Sequence, residues 1–249
     1  MKNKTKRWIW GLAAVLTVLA AGAVLFLSGV IRINTPSVQQ YPMRGVDVSE
    51  YQGSIDWPRI QQQNIHFAFI SATEGSGYVD TCFTANWNAV AETDILAGAY
   101  HFFSFDSGAD TQAANFIAAV PADRPMLPPV VDVELYGKHK RNPPDPETVR
   151  RELDEMLALL EEHYGAKPIL YATHSAYSRY LAHYYGEYPI WIREVFFRPS
   201  LPDGRRWIFW QYSDKGRLDG YAGEEKHIDL NVYAGSWEQL AELQRPHRP

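Results

Sequence analysis

Segments typical of strands and of helices alternate along this chain over residues 45–172. Strands separated by helices pair in parallel, because the chain crosses back over the sheet between one strand and the next. Beyond residue 186 the strand-like segments follow one another with only loops between them. We therefore predict an α/β fold with a parallel sheet, and the length and strand count favour closure into a barrel. The predicted strands are 45–49, 66–71, 96–103, 128–134, 168–172, 188–193, 207–212 and 227–232.

The strand at 128–134 carries two carboxylates. Asp132 and Glu134 are two residues apart, so they point to the same face, with Cα atoms roughly 6.6 Å apart. Two acids at the end of a buried strand are costly unless they are solvated, paired or used. The α/β folds place their active sites at the carboxyl ends of such strands. A salt-bridged or helix-capping pair is the structural alternative.

Further acids recur at the ends of other predicted strands. Asp47 and Asp229 lie in the first and last strands, and Glu74 follows the second. A barrel gathers the carboxyl ends of its parallel strands at one mouth. This convergence is the main physical argument for a site. Trp191 and Trp210 are ambiguous, because aromatic rings suit sugar faces but also fill barrel interiors.

The first 31 residues have the pattern of a membrane anchor. Four basic residues precede an uncharged run at 8–31, and about 20 apolar residues suffice to cross a bilayer. The basic side is expected to stay in the cytoplasm. We predict a single-pass cell-membrane protein, with 1–31 as cytoplasmic tip and transmembrane signal anchor, 32–42 as linker and 43–249 as one extracytoplasmic domain. Secretion after signal cleavage is the alternative.

Composition and charge argue against a nucleic-acid-binding protein and against a disulfide-stabilised fold. The formal net charge is −5 and no basic stripe with interleaved aromatic residues is present, so nucleic acid is not an expected partner. The single cysteine, Cys82, rules out an intrachain disulfide framework. We expect a monomer without a cofactor or a bound metal.

Six short motifs, taken in order, resemble the family 25 glycoside hydrolases, the lysozymes (N-acetylmuramidases) of the Chalaropsis and cellosyl type. No single motif is specific, but their order and spacing are, and the resemblance extends over about residues 44–233. The motifs are GVDVS at 45–49, ATEG at 72–75, GAYHF at 98–102, DVE at 132–134, WQY at 210–212 and IDLN at 228–231.

The resemblance implies an irregular TIM-like barrel of about five β/α units closed by three further strands. It implies hydrolysis of the β-1,4 bond between N-acetylmuramic acid and N-acetylglucosamine in peptidoglycan glycan strands. Glu134 matches the general acid/base and Asp132 its partner carboxylate, with Asp47 and Asp229 as further acids of the catalytic site. The residues expected to bind substrate are Tyr100, Tyr171, Trp191, Gln211, Glu74 and His101. Ser71 stands where many members carry lysine, which leaves the role of Glu74 less defined.

The stereochemistry does not follow from the spacing of the two acids. Carboxyl groups about 5–5.5 Å apart indicate retention and about 6.5–9.5 Å inversion, and the strand spacing falls between. We favour a substrate-assisted retaining route, in which the 2-acetamido oxygen attacks and Asp132 orients it. The resemblance supports this choice more than the spacing does.

Two other function classes remain open. A metal-dependent polysaccharide deacetylase could use the four acids with His101 or His227, although the clustered histidine motifs typical of such sites are absent from the sequence. A catalytically silent, membrane-tethered peptidoglycan-binding module is also possible, because a fold does not guarantee a function. Acids at all four positions argue against the silent module.

Overall fold

The computed structural model describes residues 2–28 and 34–244, which fall into two compact units divided between Thr35 and Pro36. The first unit contains the helix α1 (Lys2–Leu27). Its stretch Lys6–Phe26 is long and apolar enough to cross a membrane by length and composition. The predicted end of the anchor at residue 31 lies outside the described residues.

The second unit is an α/β barrel. Its strands are β1 (Arg44–Val48), β2 (Phe67–Glu74), β3 (Tyr78–Val79), β4 (Leu96–Phe102), β5 (Val130–Val133), β6 (Ile169–Thr173), β7 (Ile190–Arg193), β8 (Phe209–Gly216) and β9 (Ile228–Tyr233). Its helices are α2 (Trp57–Gln61), α3 (Phe83–Val90), α4 (Ala109–Ala119), α5 (Pro146–Tyr164), α6 (His174–Ala176) and α7 (Trp237–Leu243). A π-helical turn, Tyr177–Leu181, continues α6.

Eight of the described strands close on themselves in the order β1-β9-β8-β7-β6-β5-β4-β2, with β2 pairing back to β1. All neighbouring pairs are parallel except those of β9, which is antiparallel to both β8 and β1. β3 lies outside the ring as a hairpin on β2. The predicted barrel class is confirmed. Helices α2 to α6 follow five successive barrel strands, and β7, β8 and β9 complete the ring.

The longest helix after α1 has sequence signals at both ends. Asp145 accepts a hydrogen bond from the backbone N–H of Thr148, Pro146 opens the first turn, and Gly165 ends the helix with a φ of 66°. Helix α4 lacks such a cap, because Gly108 occupies its N-cap position without a side-chain hydrogen bond.

Alternation along the strands divides the core into two layers. Side chains facing into the barrel form one cluster, in which Phe67, Phe69 and Phe209 pack with ring centroids 5.1 to 6.0 Å apart. Side chains facing outward pack against the helices. The bulky rings inside require small neighbours, because a Cβ on Gly45 would meet the Phe67 ring and one on Gly98 would come 2.7 Å from the Phe69 ring.

Packing of the second unit begins before residue 43. Tyr41 is buried against Trp207 and Trp210, with ring centroids 5.8 and 6.1 Å away. The Arg44 guanidinium donates a hydrogen bond of 2.6 Å to the carbonyl of Pro36. Part of the segment predicted as a linker is therefore attached to the barrel.

Candidate active site

A pocket of about 240 Å³ opens where the carboxyl ends of the parallel strands meet. Eight of the ten predicted site residues line it, because alternation turns one residue in two toward the barrel axis. The lining residues are Asp47, Tyr100, Phe102, Asp132, Glu134, Tyr171, Trp191, Arg193, Gln211, Asp214 and Asp229. Four of the five strand-end acids, all except Glu74, therefore line one pocket.

Asp132 in β5 and Glu134, the first residue after this strand, both line the pocket. Burial, followed by the charges of Glu134 and Asp47, raises the pKa of Asp132 well above its usual range. Burial also raises the pKa of Glu134, against the opposing charges of Arg193 and Lys140. Asp132 is 8% exposed, and its Oδ1 atom has no hydrogen-bond partner among the described residues. A buried acceptor of this kind is costly unless a ligand supplies the donor.

Asp47 and Asp229 face each other across the β1–β9 pair. Gln211 Nε2 lies 3.2 Å from both carboxylate oxygens of Asp47 and 2.6 Å from Asp229 Oδ2, and Asn231 donates to Asp47 at 2.6 Å. Burial raises the pKa of Asp47 to about 6. Burial and the charge of Asp47 raise the pKa of Asp229 well above its usual range. Because the two carboxyls face each other and both pKa values are raised, the pair retains a proton at higher pH than two separate acids would.

Aromatic side chains form the floor of the pocket. Trp191 stacks on Phe69 at 4.6 Å and meets Tyr171 edge to face at 4.5 Å. The indole N–H of Trp191 donates to Asn231 Oδ1 at 2.8 Å, and the Tyr171 hydroxyl donates to Gln211 Oε1 at 2.7 Å. These bonds fix the amide orientations of Gln211 and Asn231, which then present N–H groups to the acids. Trp210, in contrast, faces outward and packs in the helix layer.

Three pocket residues were missed by the sequence reasoning: Phe102, Arg193 and Asp214. Arg193 pairs with Asp214 at 2.7 Å and lowers the pKa of each of the four acids of the predicted set. A signal for Arg193 was present, because it lies two residues beyond Trp191 in the same predicted strand and so shares its face.

Two predicted residues lie apart from the pocket. His101 is fully buried on the outer side of β4, where its ring contacts Thr73 Oγ1 at 2.7 Å and Gln112 Oε1 at 3.1 Å. Burial lowers its pKa to about 4. This position does not fit substrate binding, because the neighbouring Tyr100 takes the inward face. Glu74 is exposed at the end of β2 and does not line the pocket, although its charge adds to the raised pKa of Asp132.

Chemistry rather than volume makes this pocket the candidate active site. A larger cleft of about 750 Å³ lies beside α5, but it contains none of the predicted catalytic acids. Within the described residues, no group of three or more histidine, cysteine or acidic side chains is arranged to hold a metal ion. The residues in the pocket are suited to proton transfer and to stabilising positive charge.

Comparison with known proteins agrees with this chemistry. The sequence model of the family named glycosyl hydrolases family 25 matches residues 46–221 of this chain. A family 25 glycosyl hydrolase structure from Bacillus anthracis superposes with a TM-score of 0.80 at 51% identity, covering 84% of this chain and 96% of that one.

Two curated relatives extend the likeness. The uncharacterized protein YegX of Escherichia coli K12 is 38% identical over 205 residues, 80% of this chain and 72% of that protein. Lysozyme M1 of Streptomyces globisporus is 30% identical over 217 residues, 81% of this chain and 71% of that protein. By the extent of the family match and by these identities, the chain belongs to glycosyl hydrolases family 25.

Proposed function

We propose that this glycosyl hydrolase is a lysozyme that cleaves the β-1,4 bond between N-acetylmuramic acid and N-acetylglucosamine in peptidoglycan. The likeness to Lysozyme M1 and to the N,O-diacetylmuramidase of Arthroderma benhamiae supports the substrate. The observation that carries the proposal is the pairing of Glu134, whose pKa is raised, with Asp132, whose buried Oδ1 lacks a partner among the described residues.

Glu134 is the general acid in this proposal. Its raised pKa keeps a larger protonated fraction near neutral pH, so it can donate a proton to the leaving O4 of N-acetylglucosamine. The same carboxylate then takes a proton from the incoming water. Burial of the carboxyl is the main cause of this pKa, and Arg193 limits the rise.

Asp132 orients the 2-acetamido group of the muramic acid. Its unpartnered Oδ1 can accept the amide N–H of that group, which turns the amide oxygen toward C1. Attack by this oxygen forms a cyclic oxazolinium, and water opens it from the opposite face with net retention. The positive charge that develops on the acetamido group favours the ionised form of Asp132, and this carboxylate in turn stabilises that charge.

Asp47, held ionised by Gln211 and Asn231, adds negative charge beside the oxocarbenium-like transition state. A proton shared by Asp47 and Asp229 limits the repulsion between these two acids. Tyr100, Tyr171 and Trp191 present ring surface and hydroxyl groups along the pocket, which suits a pyranose face. Gln211 positions the acids rather than contacting the reacting atoms.

We further propose that α1 anchors the barrel to the cell membrane with the active site outside the cytoplasm. The support is a helix of sufficient length and hydropathy with basic residues at its start. A cleaved signal sequence would satisfy the same pattern and would give a secreted monomer.

Substitution of Glu134 by glutamine tests the proposal. The amide keeps the shape of the side chain but cannot donate the proton, so hydrolysis of purified peptidoglycan should fall by about 10²–10⁴-fold with an unchanged fold by circular dichroism. Released reducing ends are the readout, and their initial configuration by NMR should be β. Substantial turnover by Glu134→Gln would remove this residue from its role, and an initial α configuration would exclude retention.

The same assay separates the other two functions. A silent binding module would sediment together with peptidoglycan, and neither the wild type nor Glu134→Gln would release reducing ends from it. A deacetylase would release acetate and would lose activity after chelation. The proposed lysozyme releases reducing ends, releases no acetate and is unaffected by chelation.

A further inference from the structure

The pocket presents an electrostatic conflict with its proposed substrate. Five carboxyl groups line it, against a single guanidinium, Arg193, which is already paired with Asp214. The whole chain also carries a formal net charge of −5. Peptidoglycan is anionic, because its muramic acid residues bear peptide stems with free carboxylates. Even with protons held by Glu134 and by the Asp47/Asp229 pair, the acids that remain ionised and the net negative charge of the chain repel such a polymer unless cations near the pocket offset them.

The segment 135–144, which follows the catalytic strand, carries cations and is attached to the barrel at both ends. The Tyr136 ring packs on Phe102 at 5.2 Å and on Phe105 at 5.8 Å, and Phe102 itself lines the pocket. His139 is buried against the same rings, and its Nε2 lies 3.2 Å from Asp106. The segment is therefore attached to the edge of the active site.

The far end of the segment is fixed as well. The carbonyl of Pro144 accepts hydrogen bonds from the guanidinium of Arg179 at 3.1 Å and from the hydroxyl of Tyr180 at 3.3 Å. Between the two attachments the chain makes a short 3₁₀ turn, Gly137–Lys140. A turn held at both ends presents its side chains at lower entropic cost than a free loop does.

Two cations on this turn are available to a ligand. Lys138 is already bound to Asp106 at 3.0 Å, but Lys140 and Arg141 are exposed, and neither has a carboxylate within salt-bridge distance among the described residues. The charge of Lys140 reaches the site, because it lowers the pKa of Glu134. We call Lys140 and Arg141 the cationic rim.

We propose that the cationic rim binds the carboxylates of the peptide stem on the muramic acid being cleaved, and so selects peptide-bearing glycan over bare glycan. This inference rests on the proposed muramidase function. The stem is attached through the lactyl group at C3 of the same sugar whose C1 reacts. Every productive complex therefore brings a stem next to Glu134, which feels the charge of Lys140, and Arg141 follows Lys140 at the end of the turn.

The test uses single charge reversals, Lys140→Glu and Arg141→Glu, with Arg151→Glu as the matched control. Arg151 is exposed on α5 and its reversal changes the net charge equally. Each protein is assayed on three substrates: soluble strands with stems, the same strands with all carboxylates amidated by carbodiimide coupling, and strands freed of stems that keep the lactyl carboxylate. Melting temperatures verify that each variant is folded.

On strands with stems, each rim reversal should raise KM by about five-fold and leave kcat nearly unchanged, as expected for a partly exposed charge contact. On amidated and on stem-free strands the change should be less than about two-fold. The control should behave as the wild type on all three substrates, and Lys140→Arg should restore the wild-type KM. Added salt should reduce the wild-type preference for stems.

Three outcomes would overturn the proposal. An unchanged KM for both variants on strands with stems would show that the rim does not contact them. An equal loss on stem-free strands would assign the contact to the lactyl carboxylate. An equal loss on all three substrates, with a shifted pH profile, would mean that Lys140 acts only through Glu134. A wild-type protein inactive on every substrate would instead contradict the proposed function itself.

Discussion

Asp47 and Asp229 form a proton-sharing pair whose ionisation opposes folding. The pKa of Asp47 in the folded chain is about 6, above its ordinary value of 3.8. A raised folded-state pKa means that the native state binds protons more tightly than the unfolded state. The stability contributed by the protonated acid is therefore complete below about pH 4 and is lost as pH rises through about 6. The pKa of Asp229 is also raised, so it acts in the same direction.

Replacing Asp229 by asparagine should relieve this conflict. The amide oxygen can still accept from Gln211, and the variant avoids the free-energy cost of keeping a buried carboxyl protonated above its ordinary pKa. We expect Asp229→Asn to melt several degrees above the wild type at pH 7.5, with the difference vanishing near pH 4, and to lose most of its hydrolytic activity. Thermal unfolding across this pH range measures the effect. A variant less stable than the wild type at pH 7.5 would contradict a raised pKa of Asp229 in the folded chain.

At the residue scale, alternation along a strand explains which of the predicted site residues line the pocket and which do not. Tyr100 and His101 are adjacent, so only one could face the pocket, and the sequence alone did not determine which. Arg193 could have been found from its spacing to Trp191. Asp214 could not, because an irregularity in β8 between Gln211 and Ser213 breaks the two-residue period.

Among the elements, β2 and β4 show how tightly the barrel interior is filled. Phe69 on β2 faces Gly98 on β4, and a Cβ at that glycine would also come 3.1 Å from Leu127 Cβ. Because Phe69 stacks on Trp191, a shift of the Phe69 ring would also displace Trp191 in the floor of the pocket.

Gly98→Ala should therefore lower the free energy of unfolding by about 1–3 kcal/mol through overpacking. Denaturant unfolding measures this change, and the double variant Gly98→Ala/Phe69→Leu should recover part of it. Gly186→Ala is the control, because a Cβ there meets nothing within 4 Å. Equal stabilities for Gly98→Ala and Gly186→Ala would show that the barrel interior can expand without cost.

The elements were largely predictable because each strand is a distinct apolar run and α5 has clear signals at both ends. The two-residue strand β3 was not predicted, since two residues cannot display a period. The turn at Gly137–Lys140 was also not predicted. Its conformation depends on ring contacts with Phe105, which is remote in sequence.

At the scale of the whole molecule, the barrel should be independent of the N-terminal helix. The contacts of Pro36 and Tyr41 with the barrel suggest Pro36 as the first residue of an autonomous domain. Residues 36–249 alone should unfold cooperatively and cleave soluble fragments with a kcat/KM within about two-fold of the detergent-solubilised full chain. In cells, the full chain should sediment with membranes and the truncated one should not. If cells that express the full chain contain the barrel outside the membrane fraction, the cleaved-signal alternative would be favoured.

The fold class could be predicted because strands separated by helices pair in parallel, and the family because six short motifs resemble it in their order and spacing. The hydrogen bonds among Gln211, Asn231 and the acids could not be predicted. They depend on the antiparallel insertion of β9 between β8 and β1, which strand-helix alternation does not specify.

The most direct measurement is mass spectrometry of the fragments released from purified peptidoglycan by the barrel domain and by its Glu134→Gln variant. The account predicts fragments ending in reducing N-acetylmuramic acid from the wild type and none from the variant. Reducing N-acetylglucosamine ends, or equal release by both proteins, would contradict it.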